Sequence, residues 1–187
     1  LDKTPPPTDV APPPLLSLLP NLSVLRLSPE DSTDAGAEKR KHQSYPKLTD
    51  DTIRAAVQYV LKKNGKTYRH PDYGPIAKWD VSEVTDMSSL FKEAKSFNGN
   101  VLNWKFPEVR VMEGMFQGAT SFNGNVSGWD FPNVTNMAVM FYGATSFEGN
   151  GVSEWEFPNV TTMGDMFAYA TRFNGNVSDW TFPNVTD

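Results

Sequence analysis

The feature that most constrains the fold of this chain is a repeat of about 25 residues in its second half. Tryptophans stand at positions 79, 104, 129, 155 and 180, so that they are 25, 25, 26 and 25 residues apart. Phenylalanines at 97, 122, 147 and 173 and methionines at 87, 112, 137 and 163 keep the same spacing. A single unit of this length cannot bury its apolar face alone. The shared period therefore predicts units that stack on one another.

The one spacing of 26 residues predicts an extra residue at a turn. The run Glu148-Gly149-Asn150-Gly151 is one residue longer than the corresponding run Asn123-Gly124-Asn125. Because glycine accepts positive φ without steric cost, Gly151 is predicted to be the added residue.

Two local patterns alternate within each repeat. Trp129-Asp130-Phe131 has period two and is followed by a proline, which predicts a short strand. Met137, Met140, Phe141 and Ala144 follow the spacing i, i+3, i+4, i+7, which predicts a two-turn helix. The predicted fold class is therefore an α/β repeat solenoid, similar to leucine-rich repeats, with a short strand and a short helix in each 25-residue coil.

The rest of the chain is predicted to form a cap and an arm. Residues 49–63 carry an apolar stripe from Ile53 to Leu61 and a possible N-cap at Thr49, which predicts a helix. We assign residues 1–46 to an extended Pro-rich arm, 47–75 to an N-terminal helical cap, and 76–187 to the solenoid. That last part comprises four full repeats and a fifth strand.

The repeats also resemble a known family. Residues 79–91, Trp-Asp-Val-Ser-Glu-Val-Thr-Asp-Met-Ser-Ser-Leu-Phe, and the run Gly-Ala-Thr-Ser-Phe-Asn-Gly-Asn at 118–125 are similar to BspA-type leucine-rich repeats. The similarity extends over residues 74–187. It implies a secreted or surface-exposed repeat protein of the kind that bacteria use for adhesion and that is also abundant in algae.

Composition and charge exclude several classes of function. The chain has no cysteine and only two histidines, so it has no thiolate metal site and no cluster of three imidazoles. With 22 acidic and 17 basic residues its net charge is -5, which argues against a nucleic-acid-binding protein. No apolar run is long enough to span a bilayer. We predict a chain that is not an enzyme and that binds no metal or cofactor.

Two surfaces are predicted to contact protein partners. The first is the apolar part of the arm, with Leu15, Leu16, Leu18, Leu19, Leu22, Leu25 and Leu27. The arm has an alternative interpretation, as the remnant of a processing signal or as a disordered tail. The second surface is the outward strand face, with Lys78, Asp80, Lys105, Asp130, Glu154, Glu156 and Asp179. The edge after the fifth strand, at Asp187, is expected to be covered by a partner or by further chain.

Two hypotheses for the function remain open. The first is an accessory or scaffold subunit that docks through its arm onto a larger assembly, in an organelle or at a membrane of an alga. The second is a secreted or cell-surface adhesion and recognition protein. Both predict protein partners, no nucleic acid and no transmembrane segment. The sequence does not decide between a cell-surface and an organellar location.

Overall fold

The computed structural model describes residues 44–63 and 68–187. Residues 1–43 of the predicted arm, which include its seven leucines between positions 15 and 27, lie outside the described residues. The repeats and the segment that precedes them belong to one compact unit, Ser44–Asp187.

The helix predicted over residues 49–63 is confirmed as α1, Asp50–Lys62. Thr49 begins it, and the Thr49 N–H donates to Thr52 Oγ1 at 2.9 Å, which satisfies one of the free donors at a helix start. Acidic residues in the first turn and a lysine in the last suit the helix dipole. The apolar stripe is buried at Ile53, Ala56, Val57 and Val60.

A small hairpin leads from α1 into the repeats. Strand β1, Arg69–His70, pairs antiparallel with strand β2, Gly74–Pro75, with Arg69 opposite Pro75 and His70 opposite Gly74. Two short 3-10 helices, Ile76–Lys78 and Val152–Glu154, complete the regular structure of the described residues.

The predicted fold class is wrong. In the part of the chain that the structure describes, there is one α-helix and one two-stranded sheet, and little other regular structure. Residues 79–187 contain none of the predicted α-helices or strands, including the fifth strand before Asp187. The described residues therefore do not show an α/β solenoid of the leucine-rich-repeat type.

The direction of the backbone hydrogen bonds explains why the helices do not form. An α-helix needs each N–H to bond the carbonyl four residues earlier. In the repeats, alternate N–H groups instead donate to the next repeat: Met112 to the Asn136 carbonyl at 2.8 Å and Phe116 to the Met140 carbonyl at 2.8 Å. The residue between them, Gly114, has φ 59°, a left-handed conformation that interrupts a helix.

This left-handed conformation recurs twice in each repeat. The positions concerned are Ser89 and Glu93, Gly114 and Gly118, Val139 and Gly143, and Asp165 and Tyr169. Because a helical turn cannot pass through these residues, the apolar spacing i, i+3, i+4, i+7 is produced here by a chain of turns.

Neighbouring repeats contact each other through isolated bridges and stacked rings. Parallel bridges join Asp86 to Val111, Val111 to Asn136, and Asn136 to Thr162. The rings of Trp129 and Trp155 stack at 6.1 Å with an interplanar angle of 6°. Repeat-to-repeat contact therefore builds one continuous apolar core.

The predicted core positions of tryptophan and methionine are confirmed for the inner repeats. Trp104 and Met112 are fully buried, and Trp129 is 3% exposed. The indole N–H of each inner tryptophan donates to a backbone carbonyl of the preceding repeat, as Trp129 Nε1 does to the Val101 carbonyl at 3.0 Å. No buried polar or charged residue occurs among the described positions.

Asparagine side chains at one position of the repeat also join neighbouring repeats, and the added glycine is confirmed. Asn98 Oδ1 accepts from the Asn123 N–H at 3.0 Å, and Asn123 Oδ1 accepts from the Glu148 N–H at 3.0 Å. Gly151 has φ 92°, so the residue that lengthens one repeat stands where glycine is favoured.

No helix within residues 44–63 and 68–187 is long and apolar enough to cross a membrane.

Candidate interaction surface

The predicted surface consists of the residues on either side of each buried tryptophan. The indole rings point into the core, so the side chains before and after them point outward. The structure places all seven predicted residues in exposed positions: Lys78, Asp80, Lys105, Asp130, Glu154, Glu156 and Asp179.

Six of these seven residues line two separate grooves between neighbouring repeats. One groove is lined by Ala77, Lys78, Trp79, Asp80, Val81, Asn103 and Lys105. The other, which we call the acidic groove, is lined by Trp129, Asp130, Phe131, Pro132, Glu154, Glu156 and Pro158. Asp179 lines neither of them.

Two charged side chains in the first groove, those of Asp80 and Lys105, are already engaged by the protein. Asp80 Oδ1 accepts from the Ser82 N–H at 3.0 Å, and Lys47 lies nearby. The hydrogen bonds from Ser82 hold the pKa of Asp80 below its usual value. Lys105 Nζ donates to the Gly128 carbonyl at 2.6 Å, so this ammonium ties one repeat to the next.

The acidic groove differs because its charges have no partner. Among the described residues, Asp130, Glu154 and Glu156 form no ion pair and accept no hydrogen bond. Pro132 and Pro158 are exposed beside them and give the groove apolar sides. Three carboxylates beside apolar surface are suited to the ammonium or guanidinium group of a partner, whose alkyl chain would contact the prolines.

Charge is distributed unevenly along the repeats. Residues 44–105 contain ten basic and seven acidic residues, for a net charge of +3. Residues 106–187 contain two basic and nine acidic residues, for a net charge of -7. The acidic groove belongs to the negative part, which adds a long-range attraction for cations to the local carboxylates.

Sequence reasoning missed the role of Asp50. Its carboxylate accepts from the Thr85 N–H at 2.8 Å, from Thr85 Oγ1, and from the Asp86 N–H at 3.1 Å. Partial burial alone would raise the pKa of Asp50, but the bonds from Thr85 and Asp86, with the nearby Arg54, hold it below its usual value. Nothing in the local sequence marks this long-range contact.

A pair of tyrosines on another part of the surface was also missed. The rings of Tyr142 and Tyr169 meet edge to face at 5.0 Å, and Tyr169 is 70% exposed. Desolvation, the neighbouring Tyr169 and the charge of Asp165 raise the pKa of Tyr142. The pair interrupts the repeat pattern, since Gln117 and Gly143 occupy the same positions one repeat earlier.

No group of three or more His, Asp or Glu side chains within the described ranges is arranged to hold a metal ion.

Comparison with known proteins gives one match. A family model described as "Mycoplasma protein of unknown function, DUF285" matches residues 65–180, which is more than half of the chain. No curated protein and no solved structure matches the chain.

Proposed function

The chain belongs to the DUF285 family, and from this membership and its acidic groove we propose that it is a non-catalytic protein-interaction module. In this proposal it acts as a surface-exposed repeat protein of the BspA type, and the acidic groove binds a basic segment of a protein partner. The observation that carries the proposal is a set of three carboxylates, Asp130, Glu154 and Glu156, which have no ion-pair partner in the described part of the chain and lie beside exposed prolines.

The chemistry of the groove supports a basic partner. Each exposed carboxylate contributes about 0.2–1 kcal/mol when it pairs with a lysine or arginine, so three pairs give about 0.6–3 kcal/mol. The negative field of residues 106–187 speeds the encounter with a positive segment and makes it sensitive to salt.

Calorimetric titration with an oligolysine peptide tests this proposal. The variant Asp130→Asn, Glu154→Gln, Glu156→Gln is expected to bind the peptide about tenfold more weakly than the unmodified chain. The matched control, Glu108→Gln, Asp165→Asn, Asp187→Asn, changes the net charge equally but leaves the groove intact. Equal weakening in both variants would mean that only net charge matters and would contradict a binding groove.

A second candidate function is an accessory subunit of a larger assembly. The observation that favours it is an exposed aromatic pair, in which Tyr169 is 70% exposed and meets Tyr142 edge to face at 5.0 Å. The sequence-based prediction that the arm docks onto an assembly adds to this candidate. Size-exclusion chromatography of native material distinguishes the two, because a subunit elutes with its assembly whereas a free surface protein elutes alone.

A further inference from the structure

The repeats carry asparagines in the pattern that accepts N-linked sugars. That pattern is an asparagine, then any residue except proline, then a serine or threonine. Within the described residues it occurs five times, at Asn125, Asn133, Asn159, Asn176 and Asn184. All five asparagines are exposed, so exposure alone does not distinguish them. The hydrogen bonds of their side chains divide them into two groups.

Three of the asparagines use the side-chain nitrogen to hold the preceding repeat. Asn133 Nδ2 donates to the Pro107 carbonyl at 2.6 Å, and Asn159 and Asn184 bond a proline carbonyl of the preceding repeat in the same way. The hydroxyl of the pattern is engaged as well, since Thr135 Oγ1 donates to a carbonyl of the preceding repeat at 3.2 Å. A sugar on Nδ2 replaces one of its hydrogens and needs space beside the bonded carbonyl. A glycan at these positions therefore conflicts with the packing of the repeats.

The other two asparagines leave the side-chain nitrogen free. Asn125 Oδ1 accepts from the Ser127 N–H at 2.9 Å, and Asn176 Oδ1 accepts from the Ser178 N–H at 3.0 Å. This Asx turn fixes each side chain through its oxygen. Among the described residues, no acceptor bonds the Nδ2 group of Asn125 or of Asn176. The nitrogen that receives a sugar is therefore exposed and unbonded at these two positions.

The free nitrogen belongs to this position of the repeat. Asn125 has a described repeat on either side, and so has Asn100, which occupies the same position one repeat earlier. Asn100 is exposed and forms the same turn, with its Oδ1 accepting from the Leu102 N–H at 3.0 Å. It is not an acceptor of sugars only because Leu102 stands where the pattern needs a hydroxyl residue.

The spacing of the two free asparagines also suits glycans. The three asparagines bonded to proline lie in successive repeats, about 5 Å apart, which leaves no room for a sugar on each. Asn125 and Asn176 are two repeats apart, about 10 Å, because the repeat between them has Asn150-Gly151-Val152 and no hydroxyl residue. Each free asparagine therefore has the space of two repeats.

We propose that Asn125 and Asn176 are the positions at which this chain carries N-linked glycans. Their glycosylation rests on the surface-exposed location in the proposed function, because only a chain that passes through a secretory compartment meets the transferase. The donor is a lipid-linked oligosaccharide diphosphate. The bond from sugar C1 to the phosphate oxygen breaks, the bond from C1 to Nδ2 forms, one Nδ2 proton passes to a base of the transferase, and the lipid diphosphate leaves. Because sugars are attached before folding is complete, the folded structure decides which glycosylated chains are secreted.

Peptide mapping of the full-length chain, secreted from cultured eukaryotic cells behind an added signal peptide, tests the proposal. Asn21→Gln is included in every variant, because this further acceptor lies outside the described residues. A peptide N-glycosidase converts each glycosylated asparagine to aspartate, so mass spectrometry identifies every position that carried a sugar. We expect this conversion at Asn125 and Asn176 and at none of the three asparagines that are bonded to proline.

Two variants distinguish the turn from the bare sequence pattern. Ser127→Ala removes the required hydroxyl but keeps the N–H that bonds Asn125, so the chain should lose one glycan. Adding Leu102→Ser to this variant gives Asn100 the missing hydroxyl and should restore one glycan. The matched control, Thr135→Ala, removes the pattern at a bonded asparagine and should leave the number of glycans unchanged.

An Asn125 without sugar, or a secreted chain with a sugar at Asn133 or Asn159, would overturn the proposal. Equal melting temperatures with and without Ser127→Ala, measured after removal of the sugars, exclude misfolding as the cause of a lost glycan. The groove is tested separately, by the oligolysine titration of a chain made without sugars. Failure of the groove proposal and failure of the glycan positions are therefore distinguishable.

Discussion

At the scale of single residues, Trp129 shows how one side chain stabilises two repeats at once. Its ring stacks on Trp155 at 6.1 Å and meets Phe106 edge to face at 5.2 Å. Its Nε1 donates to the Val101 carbonyl of the preceding repeat at 3.0 Å. Packing and hydrogen bonding thus join Trp129 to repeats on both sides.

Replacing this side chain is therefore expected to destabilise the whole unit. Trp129→Ala should lower the free energy of unfolding by about 3–5 kcal/mol, since it removes a buried aromatic and leaves a cavity. Trp129→Phe should cost less, because only the hydrogen bond and part of the ring are lost. Chemical denaturation measures both, and a Trp129→Ala variant that melts within a degree or two of the unmodified chain would contradict a core position.

Asp50 makes stability depend on pH. The pKa of Asp50 in the folded protein lies below the usual 3.8. Its contribution to the free energy of unfolding is therefore complete above pH 3.8, and it is lost as the pH falls through the pKa of the folded state. Asp50→Ala should cost about 1–2 kcal/mol near neutral pH, because the Thr85 and Asp86 N–H groups lose their acceptor. The difference between the variant and the unmodified chain should shrink on acidification below pH 3.8. A difference that is constant down to pH 2 would mean that the carboxylate charge plays no part.

At the scale of structural elements, the helix and the repeats differ in how far sequence predicts them. Helix α1 was predictable because its cap, its charges and its apolar stripe all indicate the same element. The repeats were assigned wrongly because a turn-based chain gives the same apolar spacing as a helix. Glycines at 114, 118 and 143 hint at left-handed residues, but Ser89, Val139 and Tyr169 adopt that conformation without being glycine.

The same limits apply to the candidate surface. The alternation around each tryptophan was sufficient to predict which side chains are exposed. It was not sufficient to show that Lys105 bonds the Gly128 carbonyl, because that contact depends on the register between repeats. The bonds that the Thr85 and Asp86 N–H groups donate to the Asp50 carboxylate connect residues more than 30 positions apart and leave no local pattern in the sequence.

Two left-handed glycines provide a matched test of how the repeats contact each other. A Cβ added at Gly151 would lie 2.4 Å from the Ser127 backbone nitrogen, whereas one added at Gly143 would lie 3.9 Å from its nearest neighbour. Gly143→Ala should cost about 1 kcal/mol for its positive φ alone. Gly151→Ala should lower the free energy of unfolding by about 2–4 kcal/mol, because the repeat that contains Ser127 must also move away from the added methyl group. Equal losses in thermal denaturation would place Gly151 outside the contact between repeats.

At the scale of the whole molecule, residues 44–187 are expected to fold without the preceding segment. Leu48 N–H donates to the Asp80 carbonyl at 2.8 Å, and Asp50 satisfies the donors of Thr85 and Asp86. The first repeat is thus already covered by α1 and the residues before it. Removing residues 1–43 should leave the melting temperature within about 2 °C of the full chain, the change expected for less than 1 kcal/mol. A large fall in the melting temperature would show that the arm is needed for folding.

Hydrogen exchange of individual amides, followed by NMR, tests the central structural claim most directly. The account holds that the repeats are joined by alternate backbone N–H groups, and that this arrangement sets the spacing of the exposed grooves. It predicts slow exchange for Met112, Gly114, Phe116 and Gly118, each bonded to the next repeat. It also predicts faster exchange for Glu113, for which the described residues provide no acceptor. Fast exchange at Met112 and Gly114 together with slow exchange at Phe116 and Gly118 would instead indicate a helix in each repeat, because the first turn of a helix leaves its N–H groups without acceptors, and would contradict the account.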